Sequence, residues 1–127
     1  MAKTTGGRQS GAKSGRPAYI PDVGDVVWMT FTPQAGREQA GRRPGLVLTP
    51  IEYNSKTSLC LACPITSHAK GYPFEVSLPD DAIIHGVVLA DHVRSADWQA
   101  RKAEFVETVD NETLAEVQAK LKALLGW

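Results

Sequence analysis

Apolar residues in this chain recur mostly with a period of two, in short runs divided by turn residues. Gly24 leads into Asp25-Val26-Val27-Trp28-Met29-Thr30-Phe31, a β-branched and aromatic run that predicts a strand. The run GLVLT, Gly45 to Thr49, is apolar at successive positions, which suits a strand covered on both faces and therefore central in its sheet. Thr57 to Ile65, Pro73 to Leu78, Gly86 to Ala90 and Ala103 to Glu107 predict further strands. Residues 50–56 are expected to connect two strands with at most one helical turn. Residues 79–85 are expected to turn the chain, and 92–98 to be irregular. Thr32 to Arg43 (TPQAGREQAGRR) and Thr66 to Tyr72 (TSHAKGY) are polar loops. The first is long for a small domain, a property of loops that carry function.

Helical period is confined to the C-terminal segment. Leu114, Val117, Leu121 and Leu124 recur at spacings of three and four, which makes one apolar stripe. Asp110 is placed to cap the helix, Glu112 suits its positive end, Lys120 and Lys122 suit its negative end, and Gly126 terminates it. Short strands with one terminal helix predict an α+β fold, mainly β: a small curled sheet or barrel with the helix packed on it.

Composition adds an asymmetry that the average hides. The 127 residues hold 14 basic and 14 acidic groups, a formal net charge of zero. Residues 1–17 contain Lys3, Arg8, Lys13 and Arg16 and no acid, so 10 basic groups face 14 acidic ones in the remainder. The chain is expected to be a disordered basic tail, 1–17, joined to a mildly acidic domain, 18–127, because the Gly/Ser/Thr-rich tail has too little apolar surface to offset the entropy of ordering. No window approaches the roughly 18 apolar residues needed to span a bilayer, and the tail lacks the apolar stretch of a secretory signal. A cytoplasmic protein with no membrane association is expected.

Cys60 and Cys63 form a C-x-x-C pair within a predicted strand. Two thiols are too few for a four-thiolate zinc site. Positions three apart on a strand point to opposite faces, so the sulfurs should diverge into apolar surroundings. No metal or cofactor is expected, since no phosphate loop, dinucleotide fingerprint or paired-histidine motif is present.

Three polar clusters are candidates for chemistry. Arg37-Glu38-Gln39-Ala40-Gly41-Arg42-Arg43-Pro44 puts three arginines where the long loop enters a central strand. Guanidinium forks match phosphate oxygens bidentately, although the same residues also suit a solvated loop with a surface ion pair. Thr66-Ser67-His68 with Lys70 follows the third strand. If the second and third strands pair, Arg43 and Thr66 face one cleft; a hydroxyl bonded to its own turn is the alternative for Thr66. Asp91-His92-Val93-Arg94-Ser95 follows the fifth strand, but adjacent Asp and His point apart on a strand. Trp28 is expected in the core, and Tyr53 and Tyr72 on loops, where they stack bases or pack locally.

Taken in order, these segments resemble the MazF/PemK family of toxin endoribonucleases. The segments are YIPDVGDVVWMTFTPQAGREQAGRRPGLVLTPIEYNSKT, LCLACPITSHAKGYPFEV, GVVLADHVRSADW and the terminal helix. The start P-D-x-G-D-x-x-W, the loop E-Q-x-G-x-R-P and K-G-Y-P-F are jointly specific, and the resemblance runs from about Tyr19 to the C-terminus. It implies an SH3-like β-barrel with a C-terminal helix, a symmetric homodimer, and metal-independent, sequence-specific cutting of single-stranded RNA. It also implies a cognate antitoxin that lays an extended, acidic C-terminal segment along the RNA groove. By motif, Arg43 and Thr66 match the key arginine and threonine, and Glu38 the acidic loop position. RNA contacts are expected from Arg37, Gln39, Arg42, Tyr53, Asn54, Ser67, His68, Lys70 and Asp91, the last matching an acid that some members use. Base specificity is expected from residues 33–42, 52–58 and 67–72.

Metal-free cleavage of this kind uses the adjacent 2′-hydroxyl as nucleophile and leaves a 2′,3′-cyclic phosphate and a 5′-hydroxyl. Arg43 is suited to the charge that develops on the phosphate oxygens. Glu38, with His68 second, is suited to accept the 2′-hydroxyl proton, and Thr66 to hold an oxygen by hydrogen bond. Two other functions fit the same fold: a non-enzymatic toxin that binds DNA gyrase, as the related CcdB branch does, and an RNA-binding domain without catalysis.

Overall fold

The computed structural model describes residues 19–31 and 41–127. The tail 1–17 and the loop residues Arg37, Glu38 and Gln39 lie outside the described residues. Among the described residues, seven strands and two helices follow in order: β1 (Asp25–Thr30), β2 (Arg42–Val47), α1 (Ile51–Thr57), β3 (Leu59–Thr66), β4 (Glu75–Ser77), β5 (Val87–Leu89), a 3₁₀ turn (Ala90–His92), β6 (Arg94–Asp97), β7 (Glu104–Thr108) and α2 (Asn111–Leu125). All pairings are antiparallel, in the order β4-β5-β3-β2-β1-β7, with β6 also on β3.

Pairing on β3 organises the sheet. One edge of β3 takes β2; the other takes β6 along its first half and β5 along its end. Ile65 faces Val88 and Ala62 faces Arg94, so three steps along β3 correspond to six along its partner. The 3₁₀ turn takes up the excess, as a bulge does, and bends the sheet there. β6 replaces the irregular segment expected at 92–98. Its sequence RSAD carries no β-branched or aromatic signal, and the ladder with β3 supplies the order instead.

Alternation along the strands sends apolar residues to two separate cores. Val26, Leu46, Cys63, Ile65, Val76, Val88 and Val117 lie in one; Val27, Met29, Phe31, Val47, Cys60, Ala62 and Trp98 lie in the other. The two cysteines diverge as their spacing predicts. Burial pushes both thiols up to about 12, with the Asp91 charge adding to the effect on Cys63. They are free thiols held in the unreactive protonated form.

The fold is mainly β with a C-terminal helix, as expected, but the ladder does not close into a barrel. β4 and β7 remain edges. Between them the Glu107 carboxylate on β7 accepts hydrogen bonds from Ile83 N–H and Ile84 N–H, each 3.0 Å, in the connection after β4. A side chain thus bridges the gap that a backbone ladder would fill.

The connection 50–56 is a helix of seven residues, longer than the one turn expected, and Asn54 explains it. Asn54 is fully buried. Its Nδ2 donates to Pro21 O (2.8 Å) and Thr49 O (2.9 Å), and its Oδ1 accepts from Thr49 Oγ1 (2.7 Å). Its backbone carbonyl accepts from Trp98 Nε1 (3.0 Å). One amide therefore ties α1 to the N-terminal segment and the end of β2. Asp22 and Asp25 of the P-D-x-G-D motif are structural too. Asp22 Oδ1 accepts from Ile51 N–H (2.9 Å), and Asp25 accepts from Tyr19, Asp22 N–H and Thr108.

Helix α2 begins as predicted. Asp110 accepts from Thr113 N–H (3.1 Å) and from the Thr113 hydroxyl, and Gly126 ends the helix at φ 77°. Val117 is fully buried, and Leu114 and Leu121 pack on the first core, while Leu124 at the last turn is exposed.

Two stability outcomes follow. Asn54→Ala leaves buried carbonyls at Pro21 and Thr49 without donors, at about 1–3 kcal/mol per group, so urea unfolding should show a loss of about 3 kcal/mol. Asp110→Ala removes the helix cap and should cost about 1 kcal/mol near neutral pH. Hydrogen bonds from Thr113 hold the Asp110 carboxyl below its ordinary range. Its contribution is therefore present above the unfolded value of about 3.9 and disappears as pH falls through the lowered folded value. Thermal melts of wild type and Asp110→Ala should converge as pH falls below the unfolded value and through the lowered folded one.

Candidate active site

Arg42 and Arg43 are adjacent in sequence, and β2 sends them to different tasks. The strand starts at Arg42, so both arginines and Pro44 belong to it rather than to the loop, and neighbours on a strand point to opposite faces. Arg42 Nη2 donates to Lys102 O (2.8 Å) and pairs with Glu104 Oε1 (2.9 Å); Nη1 donates to Arg101 O (3.2 Å). Its guanidinium is occupied in tying β2 to the turn before β7. Arg101 Nη1 donates to Thr30 O (2.7 Å) and Phe31 O (3.0 Å), and Phe31 N–H donates to Gly41 O (2.8 Å). These bonds hold Thr30 and Phe31 at the end of β1 beside Gly41 and Arg101.

Arg43 is exposed, and among the described residues its side chain forms no hydrogen bond or ion pair. β2 and β3 pair Gly45 with Pro64, Leu46 with Cys63 and Val47 with Ala62. The ladder ends at Gly45 and Pro64, and Arg43 and Thr66 lie two residues beyond it, on the lining of one cleft. Gly45 leaves room for the Phe31 ring, because a Cβ there would lie 2.5 Å from it. Thr66, the last residue of β3, is half-buried. Its Oγ1 accepts from His68 N–H at 3.1 Å, the turn bond expected as an alternative. That bond takes one lone pair and leaves the hydroxyl proton to donate.

Arg43 and Thr66 line one open cleft of about 440 Å³ with Trp28, Arg42, Pro44, Ile65, Ser67, His68, Ile83, Ile84 and His85. Two arginines and two histidines border it, and among the described residues no carboxylate does. The loop behind His68 is fixed by Glu75, whose carboxylate accepts from Lys70 N–H (2.9 Å) and Gly71 N–H (2.8 Å). Those bonds, Lys70 N–H first, hold its carboxyl below the usual range. No group of three or more His, Cys, Asp or Glu is arranged to hold a metal ion among the described residues.

The cleft unites Arg42, Arg43, Thr66, Ser67 and His68 of the expected site residues. Lys70, Tyr53 and Asp91 lie outside its lining. Lys70 is exposed on the neighbouring loop, Tyr53 is exposed on α1, and Asp91 sits in the 3₁₀ turn with His92 Nε2 3.9 Å from its Oδ1. Asn54 is corrected from RNA contact to structural residue, since it is fully buried with its amide spent on the hydrogen bonds described above. Trp28 is also corrected. It is 37% exposed on the cleft rather than in the core, while its neighbours Val27 and Met29 are buried. Strict alternation from those two residues carries the signal for its position. Ile83, Ile84 and His85 were not expected at the site, and no motif marks them.

The family model described as the PemK-like, MazF-like toxin of type II toxin–antitoxin systems matches residues 22–125. The endoribonuclease toxin MazF of Escherichia coli (strain K12) is 49% identical over 108 residues, 85% of this chain and 96% of that relative. The crystal structure of MazF from Deinococcus radiodurans superposes with a TM-score of 0.80 at 58% identity, covering 87% of this chain and all of that one. The MazE–MazF crystal structure from the same organism superposes at 0.77 and 52% identity, covering 86% and 98%. With a family match across nearly all the described residues and a cationic cleft at its conserved-type motifs, this chain belongs to the PemK-like, MazF-like toxins of type II toxin–antitoxin systems.

Proposed function

We propose that Arg43 and Thr66 bind and activate one phosphodiester of single-stranded RNA in this cleft. The chain is an RNA-cleaving toxin neutralised by an antitoxin. The observation that supports this placement of the site is the shared cleft at the end of the β2–β3 ladder, which holds an unengaged guanidinium and a hydroxyl with no carboxylate among its described lining. The 2′-hydroxyl of the nucleotide attacks its own 3′-phosphate, and the 5′-oxygen of the next nucleotide leaves and takes a proton from water. The products are a 2′,3′-cyclic phosphate and a 5′-hydroxyl end.

Arg43 stabilises the charge that accumulates on the non-bridging oxygens. The guanidinium is suited to this because it stays protonated and offers two parallel donors. It is for the same reason unsuited to take the proton of the nucleophile. Thr66 donates its hydroxyl proton to the same phosphate while His68 N–H fixes the rotor. Glu38 accepts the 2′-hydroxyl proton, on the strength of its motif position, with His68 on the cleft wall as the second candidate. Ser67 completes the phosphate-binding edge, and Arg42, held by Glu104 and the Lys102 carbonyl, braces the strand behind it. Arg37, Gln39, Tyr53, Lys70 and Asp91 contact the flanking strand. No step calls for a metal. The reading includes a cytoplasmic homodimer, and an antitoxin whose acidic extended segment competes with RNA for the cationic cleft.

Single-turnover cleavage of a long RNA in chelator tests these roles. Arg43→Ala should lower the rate about 10²–10³-fold, the usual cost of one oxyanion-stabilising donor. Thr66→Ala should lower it about tenfold, the worth of one hydrogen bond of ~1.4 kcal/mol. Glu38→Ala should fall further than His68→Ala. Wild-type rates for both Arg43→Ala and Thr66→Ala exclude this site. Intact RNA together with inhibited gyrase places the protein with the binding toxins instead.

A further inference from the structure

One wall of the cleft is formed by Ile83, Ile84 and His85, in the connection between β4 and β5. This wall is fixed at both ends. At one end the Glu107 carboxylate takes Ile83 N–H and Ile84 N–H, one on each oxygen. At the other end Gly86 has φ +135°, and a Cβ there would lie 2.2 Å from the Thr66 carbonyl oxygen and 2.9 Å from its carbon. Only a residue without a side chain lets the backbone come this near the end of β3. Gly86 O also accepts from Leu78 N–H at 3.0 Å. The segment therefore presents its side chains at a set distance from Thr66.

Its side chains are not those of a solvated turn. Ile84 packs against the first core, whereas Ile83 is 65% exposed. Trp28, 37% exposed, lines the same cleft. A phosphate has no use for exposed apolar surface. An unstacked nucleobase does, because single-stranded RNA is read by stacking splayed bases on apolar and aromatic groups and by bonding their edges. His85 supplies a ring nitrogen of either polarity for such an edge.

We propose that Ile83 and His85, held against Thr66 by Glu107 and Gly86, form a specificity-determining wall that receives, with Trp28, the base beside the scissile phosphate. The proposal rests on the endoribonuclease reading and adds a segment outside the loops 33–42, 52–58 and 67–72. Ile83 and His85 meet the base. Glu107 does not line the cleft and is a positioning residue.

The test is transcript-wide mapping of cut ends on one long RNA by wild type, Ile83→Ala, His85→Ala and Glu107→Gln. kcat/KM is measured alongside on a short oligonucleotide bearing the wild type's most-cut site. Ile83 is mostly exposed, so its truncation opens no hole in the core. Ile83→Ala and His85→Ala should reorder the preferred sites and lower kcat/KM on the wild-type site about tenfold. Glu107→Gln keeps an acceptor for only one of the two N–H groups and should reorder the same sites in the same direction by a smaller factor. An unchanged site order in both Ile83→Ala and His85→Ala overturns the proposal. An unchanged order in Glu107→Gln with a lowered melting temperature overturns the positioning role. A wild type that cuts no RNA overturns the reading beneath both.

Discussion

The antiparallel register between β2 and β3 is the constraint on which the rest of the structure depends. Just beyond its end at Gly45 and Pro64, the arginine that enters the sheet and the threonine that leaves it line one cleft. Three strands pair with β3 directly, since β5 and β6 share the edge that β2 leaves. A slip of one residue would send every side chain of β2 to the other face. Leu46 and Val47 then exchange cores, and Arg43 turns away from Thr66. Register is costly to change here because both faces of β2 are buried along Gly45–Val47. Core packing on two sides therefore protects a polar pair that contributes little to stability itself.

Around this pair the fold divides labour between neighbours. Arg42 and Arg43 are chemically the same and adjacent, yet one is bonded to two carbonyls and a carboxylate while the other is unengaged among the described residues. The pleat alone produces that difference. Arg101 holds the carbonyls of Thr30 and Phe31 at the end of β1, and Glu75 secures the loop beyond Thr66. Anchors of this kind cost a binding site little and limit how far its parts can drift.

Much of this was legible in the chain. Hydrophobic runs located β1 and β3, and the successive apolar residues of GLVLT marked β2 as central, which it is. Spacing separated Cys60 from Cys63, and Asp110 and Gly126 bounded α2. The illegible parts are those fixed by distant partners. β6 is a strand because β3 pairs with it, and α1 is a helix because a buried Asn54 joins it to Pro21 and Thr49. Tyr53 and Asn54 look alike as polar connection residues, and only tertiary burial tells the structural one from the exposed one. Ile83 and His85 reach the cleft through Glu107, 24 residues from Ile83 in sequence, a link that local patterning does not carry.

The acidic excess of the domain has a structural use that resolves its conflict with an anionic substrate. Asp22, Asp25, Glu75, Asp97, Glu107 and Asp110 each accept backbone N–H groups in turns, connections or a helix cap. Carboxylates are well suited to this task, since charge-assisted bonds to N–H groups are the stronger kind. Each of these acids thereby faces irregular backbone, and none lines the cleft. Glu104 spends its charge on Arg42. The basic groups left on the cleft side act over a Debye length of about 8–10 Å, so the approaching phosphate meets Arg43 and its neighbours rather than the total. A neutral chain can therefore present a positive site, because none of the acids among its described residues lines the cleft that Arg42 and Arg43 border.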